Sequence, residues 1–139
     1  DIYNQVNKMV ENGVLTSEDT GKINLERIKR VVESGVFNGV KNCKLYREQA
    51  FLVNVEADKV TKKQTKENIV LQGIVDLLAI GEEGAYVIDY KYSSLEKSSL
   101  KARYEKQLDL YAYAVEKVLN KKVLNKILIN LFTGDAVIC

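Results

Sequence analysis

No histidine occurs anywhere in the 139 residues. That removes imidazole from every candidate site: no His-centred triad, no His general base and no imidazole zinc ligand can be assembled from this chain. Cysteine is scarce as well. Cys43 and Cys139 have neither the spacing of a metal motif nor the number of a disulfide framework, which points to a reduced, cytoplasmic setting with incidental thiols. No apolar run reaches the length that spans a bilayer, and no charged-then-apolar signal opens the chain. The P-loop pattern GxxxxGK(S/T) is missing, so ATP-driven work is not expected of these residues. Nor does one sign of charge dominate: 21 Lys and Arg stand against 19 Asp and Glu, a net +2 that is too small to identify a partner. The chemistry left to this chain runs on carboxylates, lysines, tyrosines and bound ions.

What is present is an ordinary globular composition. Hydrophobic residues make up 46% of the chain, enough at this length for one soluble domain, 1–139, with a real core. Ile2, Val6, Met9 and Val10 have helical spacing that stops near Gly13. Thr16 reads as an N-cap followed by acids, and Asn24 opens a second apolar stripe, Leu25, Ile28, Val31 and Val32, before Gly35. Residues 1–40 are therefore expected to be helical. An α/β core is expected over 44–139: a strand over 45–55, a lysine-rich linker over 58–67, strands over 68–80 and 85–92, a long helix capped by Ser98 or Ser99 and running to Leu119, a strand over 123–132 and a last short strand. The fold class is α/β with a mixed central sheet flanked by helices. The chain opens at Asp1 without Met, inside a helical pattern, which reads as a fragment of something larger.

The most informative residues are Asp76, Asp89 and Lys91, in VLQGIVDLLAIGEEGAYVIDYKYS. Two apolar runs flank a Gly-Glu-Glu-Gly turn. If Ile80 faces Ala85 across that turn, Asp76 faces Asp89, with Cβ atoms about 5 Å apart on one face of the sheet. Lys91, two residues beyond Asp89, shares that face. Like charges so placed repel unless a cation lies between them, and a divalent ion is the natural candidate. A structural trio of this kind on a buried sheet would be costly without a function.

Acid on one strand and Asp-x-Lys on its hairpin partner resemble the PD-(D/E)xK nuclease superfamily. Gly73-Ile74-Val75-Asp76, Ile88-Asp89-Tyr90-Lys91 and Gln107-x-x-x-Tyr111 resemble its RecB-type branch, and Arg47-Glu48-Gln49-Ala50-Phe51 is similar to that branch's glutamate-bearing strand. Leu131-Phe132-Thr133-Gly134-Asp135 is similar to the C-terminus of the AddA subunits of bacterial helicase–nucleases. The resemblance implies a restriction-endonuclease-like core. It implies metal ligands at Asp76, Asp89 and the backbone carbonyl of Tyr90, and a Lys91 that orients the attacking water. It also implies an accessory acid at Glu48, with Gln107 and Tyr111 supporting the site from the helix. The implied cofactor is Mg2+, with Mn2+ as a substitute, and ATP belongs to a helicase part outside these residues. The implied substrate is DNA, cut as an exonuclease in double-strand break repair and recombination beside an AddB-type subunit. The family also carries a histidine on an upstream helix, for which this chain has no counterpart.

Two readings from other classes remain beside this one. The first is a nuclease-fold module that no longer cuts and serves DNA binding or subunit docking; the second is a phosphodiesterase acting on RNA or as a restriction-type endonuclease. Gln107 and Tyr111 share a helical face, where Tyr111 alone reads equally as core packing. Lys101 and Arg103 are read as first-turn residues whose cations, disfavoured by the helix dipole, would meet DNA phosphates. Lys59, Lys62, Lys63 and Lys66 read first as a solvated face and second as DNA contacts.

Overall fold

The computed structural model describes residues 1–62 and 65–139; Lys63, within the lysine-rich linker, lies outside the described residues. The first third is a run of short helices: α1 (Ile2–Glu11), α2 (Ser17–Lys22), α3 (Leu25–Glu33) and a 3-10 turn at Asn38–Val40. Their starts are local chemistry. Thr16 and Asp19 form a reciprocal capping box, and the Asn24 side chain accepts from the Arg27 amide, each satisfying amides that a helix start leaves without partners.

Then follow β1 (Lys44–Glu56), the single turn α4 (Ala57–Val60), β2 (Asn68–Ile80), β3 (Ala85–Lys91), α5 (Lys97–Leu119), β4 (Val123–Asn130) and β5 (Asp135–Ile138). The five strands lie in sequence order in one sheet. Neighbours run antiparallel except β3 and β4, which are parallel because α5 carries the chain back across the sheet between them. α5 starts earlier than Ser98 or Ser99 would set it: Glu96 is the N-cap and makes no side-chain capping bond. Among the described residues, no helix is long and apolar enough to cross a membrane.

The sheet is covered on both faces. α5 packs Leu100, Leu108 and Val115 against Val75, Leu78, Val87 and Leu128. On the opposite face, Val31 of α3 and Val40 pack against Leu77, Ala79, Ile88, Ile127 and Ile129. Double coverage is why β3 reads as a nearly continuous apolar run instead of an alternating one.

The hairpin register matches the sequence expectation, with Ile80 opposite Ala85 and Leu77 opposite Ile88. The turn closes through the Gly81 amide, which donates to the Gly84 carbonyl at 2.9 Å. Gly84 must be glycine because the β4 entry passes directly over it. A Cβ there would lie 2.5 Å from the Lys122 carbonyl oxygen and 2.8 Å from Leu124 Cγ, against a backbone that the Ala85 amide holds by its own bond to that carbonyl, 2.8 Å. Gly84→Ala is expected to destabilise the chain by about 1–3 kcal/mol, the range for forcing carbon into packed space. The urea unfolding midpoint measures it, and an unchanged midpoint would remove this reason for the glycine.

Candidate active site

Both ladders flanking β2 are interrupted at Asp76. On the β1 side, Arg47 pairs with Leu77 and Gln49 with Val75, leaving Glu48 and Asp76 opposite one another but out of the ladder. On the β3 side, pairing stops at Leu77 with Ile88, one step before Asp76 would meet Asp89. The interruption also turns the strand over: Val75 and Leu78, three apart, pack into the same cluster, which strict alternation forbids. Period-2 alternation thus holds on either side of Asp76 but changes phase across it.

At the gap, a side chain replaces a backbone partner. Asp76 Oδ2 accepts a hydrogen bond from the Tyr90 amide at 2.8 Å. The Lys91 carbonyl accepts from the Leu131 amide beyond β4, so Lys91 directs its backbone groups toward β4 and Tyr90, its neighbour, directs its own toward β2. The Tyr90 carbonyl therefore lies on the Asp76 side of β3. Glu48, across from Asp76 on β1, is exposed and held at φ 49°, a left-handed conformation that costs a non-glycine residue about 1–2 kcal/mol.

Asp89 is only 3% exposed. Its Oδ2 lies 2.7 Å from Lys91 Nζ, an ion-pair distance, but off the direction of a hydrogen bond, and it has no hydrogen-bonded partner among the described residues. Burial pushes the Asp89 carboxyl above its ordinary range. Lys91 opposes that shift, and the neighbouring Asp76 adds to it. Lys91 is itself positioned by Tyr104 of α5, whose ring centroid lies 4.6 Å from Nζ, a cation–π distance. Tyr90 faces the other way, and its phenol is raised by burial and by Asp76 against the opposing charge of Arg47.

α5 supplies the rest. Gln107 Nε2 donates to the Tyr111 hydroxyl at 3.0 Å, and Gln107 Oε1 is buried with no hydrogen-bond partner among the described residues. Tyr111 packs edge-on against Phe51 with centroids 5.4 Å apart. Gly73 makes room for both rings, since a Cβ there would lie 2.8 Å from Phe51 Cζ and 3.2 Å from Tyr111 Cε1. Tyr111 is thus both a core residue and the anchor of Gln107.

Several expectations change. Lys101 and Arg103 lie beyond the first turn of α5, because the helix begins at Lys97. Two residues apart on a helix, they point to different flanks. Arg103 lies near Tyr104 at 5.5 Å, while the Lys101 charge falls near the Cys139 thiol. The helix-dipole argument, which needed both residues in the first turn, therefore no longer applies.

Two residues were missed by sequence reasoning. Tyr104 was legible only as part of the apolar stripe of α5. Asn130 closes the apolar run Ile127-Leu128-Ile129 and was a polar residue where burial was expected. It is 1% exposed. Its Oδ1 accepts from the amides of Ser93 (3.2 Å) and Phe132 (3.1 Å), and its Nδ2 donates to the Ser93 carbonyl (2.8 Å). This clamp ties the segment after Lys91 to the end of β4.

A hard divalent cation is the group this donor set would take. Asp76, Asp89 and the Tyr90 carbonyl offer oxygen, and Asp89 Oδ2 is a buried acceptor that lacks a hydrogen bond. Among the described residues, no three His, Cys, Asp or Glu side chains gather into a metal-holding group, and Glu48 does not complete one. Mg2+ nevertheless binds through one or two carboxylates with water and substrate oxygens completing its octahedron, so the residues fit.

The Asn130 clamp predicts that Asn130→Ala lowers stability by about 2–4 kcal/mol, roughly three modest hydrogen bonds; chemical unfolding measures it. Asp89 predicts the opposite sign. Its raised folded pKa means that its contribution to stability is present below the ordinary carboxylate range and is lost as pH rises through the folded value. In EDTA, Asp89→Asn should therefore melt above the parent chain at pH 7, the difference closing as pH falls toward about 4. Equal melting temperatures at pH 7 would show that Lys91 fully offsets the burial.

Comparison with known proteins finds similarity along nearly the whole chain. A family model described as the PD-(D/E)XK nuclease superfamily matches residues 4–136. Curated relatives named as the A subunits of ATP-dependent helicase/nucleases include one from Clostridium acetobutylicum, 31% identical over 98% of this chain and 12% of its own length. One from Bacillus cytotoxicus is 33% identical over 99% of this chain and 12% of its own. One from Ligilactobacillus salivarius is 34% identical over 94% and 11%. The chain spans about 12% of the length of the first relatives it matches.

Proposed function

Because this chain belongs to the PD-(D/E)XK nuclease superfamily, we propose that it is a Mg2+-dependent deoxyribonuclease domain, acting as an exonuclease within a helicase–nuclease that processes DNA ends in double-strand break repair and recombination. The observation that carries the reading is the meeting of Asp76, Asp89 and Lys91 around the interrupted ladder, two carboxylates and an ammonium brought together by the β2–β3 hairpin. The similarity to the A subunits of helicase/nucleases supports DNA as substrate, an AddB-type partner and a cytoplasmic setting.

In this reading Asp76, Asp89 and the Tyr90 carbonyl hold the cation, which when bound lowers the pKa of water and neutralises charge on the phosphate. The Asp76–Tyr90 hydrogen bond fixes that carboxylate before substrate arrives, so little reorganisation remains for the reaction itself. Lys91, restrained by Asp89 on one side and the Tyr104 ring on the other, presents its ammonium to the phosphate and to the attacking water. Gln107, fixed by Tyr111, keeps a buried acceptor without a hydrogen-bond partner among the described residues and in this reading supports the site from α5. Glu48 is kept as an accessory acid on β1 rather than as a ligand. Arg103, beside Tyr104, and the lysines flanking α4 contribute sequence-independent attraction to the backbone.

Linear single-stranded DNA incubated with the chain and Mg2+ should be shortened. EDTA should stop the reaction, and Asp89→Ala should lower the rate by roughly a hundredfold or more, the loss expected when a cation that activates water and neutralises the phosphate loses a ligand. DNA bound but uncut by the parent chain, indistinguishably from Asp89→Ala, would favour the non-cutting module instead.

A further inference from the structure

Immediately after Lys91 the chain places an aromatic ring largely in water. Tyr92 is 73% exposed, and its ring packs edge-on against Phe132 with centroids 5.1 Å apart and planes at 85°. The pair is held in register: Asn130 binds Ser93 and Phe132 together, and the Leu131 amide donates to the Lys91 carbonyl at 2.8 Å. A ring that merely filled a surface gap would not need a buried clamp beneath it.

The surroundings are cationic. The Arg27 guanidinium lies 5.0 Å from the Phe132 centroid. Arg30, one turn further along α3, pairs with Asp135 at 3.0 Å, and Lys97 at the start of α5 approaches the same carboxylate at 3.9 Å. Two cations thus share one acid, and a third lies over the Phe132 ring. An exposed aromatic ring whose partner ring carries a guanidinium suits an unpaired nucleotide, whose base stacks on the ring while its phosphate meets the cation.

The geometry points to Tyr92, supported by Phe132 and Arg27, as a base-stacking platform that holds an unpaired DNA strand beside Lys91. The platform lies on the opposite side of the sheet from α5, because Tyr92 continues the alternation of Ile88 and Tyr90, whereas Val87, Asp89 and Lys91 belong to the α5 side. The strand would therefore cross the C-terminal end of β3, with one base on the platform and a neighbouring phosphate at the carboxylates. This rests on the nuclease reading above for its substrate, but not for its test.

The test is fluorescence anisotropy of a labelled oligothymidine on the 139-residue chain in EDTA, so that nothing is cut, beside a strand of the same length with abasic sugars. Tyr92→Ala should weaken binding to oligothymidine about tenfold and leave the abasic strand bound as by the parent chain. Tyr92→Phe, which keeps the stacking face, should bind within about twofold of the parent. Tyr92→Leu, which keeps apolar bulk against Phe132 without an aromatic face, should lose affinity as the alanine variant does; it decides the matter if the alanine variant fails to fold. Unchanged affinity in the leucine variant, equal losses on both strands, or no binding by the parent chain would each overturn the platform. Cleavage in Mg2+ with no effect at Tyr92 would remove the platform and leave the nuclease standing. Tyr92-dependent binding without cleavage would do the reverse.

Discussion

One hydrogen bond organises this molecule: the Asp76 carboxylate on the Tyr90 amide at 2.8 Å. It stands where a backbone carbonyl would otherwise continue the β2–β3 ladder, and it lets the two strands part without leaving an amide unsatisfied. Everything about the candidate site follows from that parting. The β2–β3 pairing stops at Leu77, the β1–β2 ladder skips one step at Asp76, β2 turns over, and Asp76 and Asp89 come to share a site at that gap. Glu48 records the same event on β1 as a left-handed residue in the middle of a strand. Strain of this kind persists only where surrounding structure over-determines it. Here the coverage of the sheet by α3 on one face and α5 on the other supplies that constraint.

The candidate site also shows where the fold gives up stability. Asp89 is buried, its carboxyl is pushed upward, and among the described residues the cation paired with it is Lys91. A neutral core residue would pack there at lower free-energy cost. The penalty is tolerable because the apolar clusters on either side are continuous and because Asn130 fastens the far ends of β3 and β4. The same clamp ties the segment that follows Lys91 to Phe132, so one buried amide side chain holds the exposed Tyr92–Phe132 pair at the end of the strand that carries Asp89 and Lys91.

Local signals were read well where chemistry between near neighbours decides. Thr16 and Asn24 cap helices as their residue types require. The Gly-Glu-Glu-Gly turn set the hairpin register correctly, because a short turn leaves only one pairing that keeps both apolar faces buried. Reading failed where the deciding partner is distant. Ser98 and Ser99 are good capping residues, yet α5 starts at Lys97, since packing of Leu100 against the sheet outweighs a cap worth about 1 kcal/mol. Lys101 and Arg103 fall outside the first turn for the same reason. Asn130 and Tyr104 carry no local signal of their partners: one closes an apolar strand, the other sits on an apolar stripe, and only the neighbours show what each does.

The amino-acid sequence by itself determined the order of elements, the register of the central hairpin and the identity of the two acids and the lysine. These depend on turn chemistry, periodicity and residue type, which act over a few positions. Tertiary structure alone decided that Asp76 breaks both ladders to bind the Tyr90 amide, that Lys91 lies between Asp89 and Tyr104, and that Tyr92 is offered to solvent over Phe132. Each of those depends on a contact between strands, or between strand and helix, and on burial, which belongs to the whole packed chain and to no segment of it.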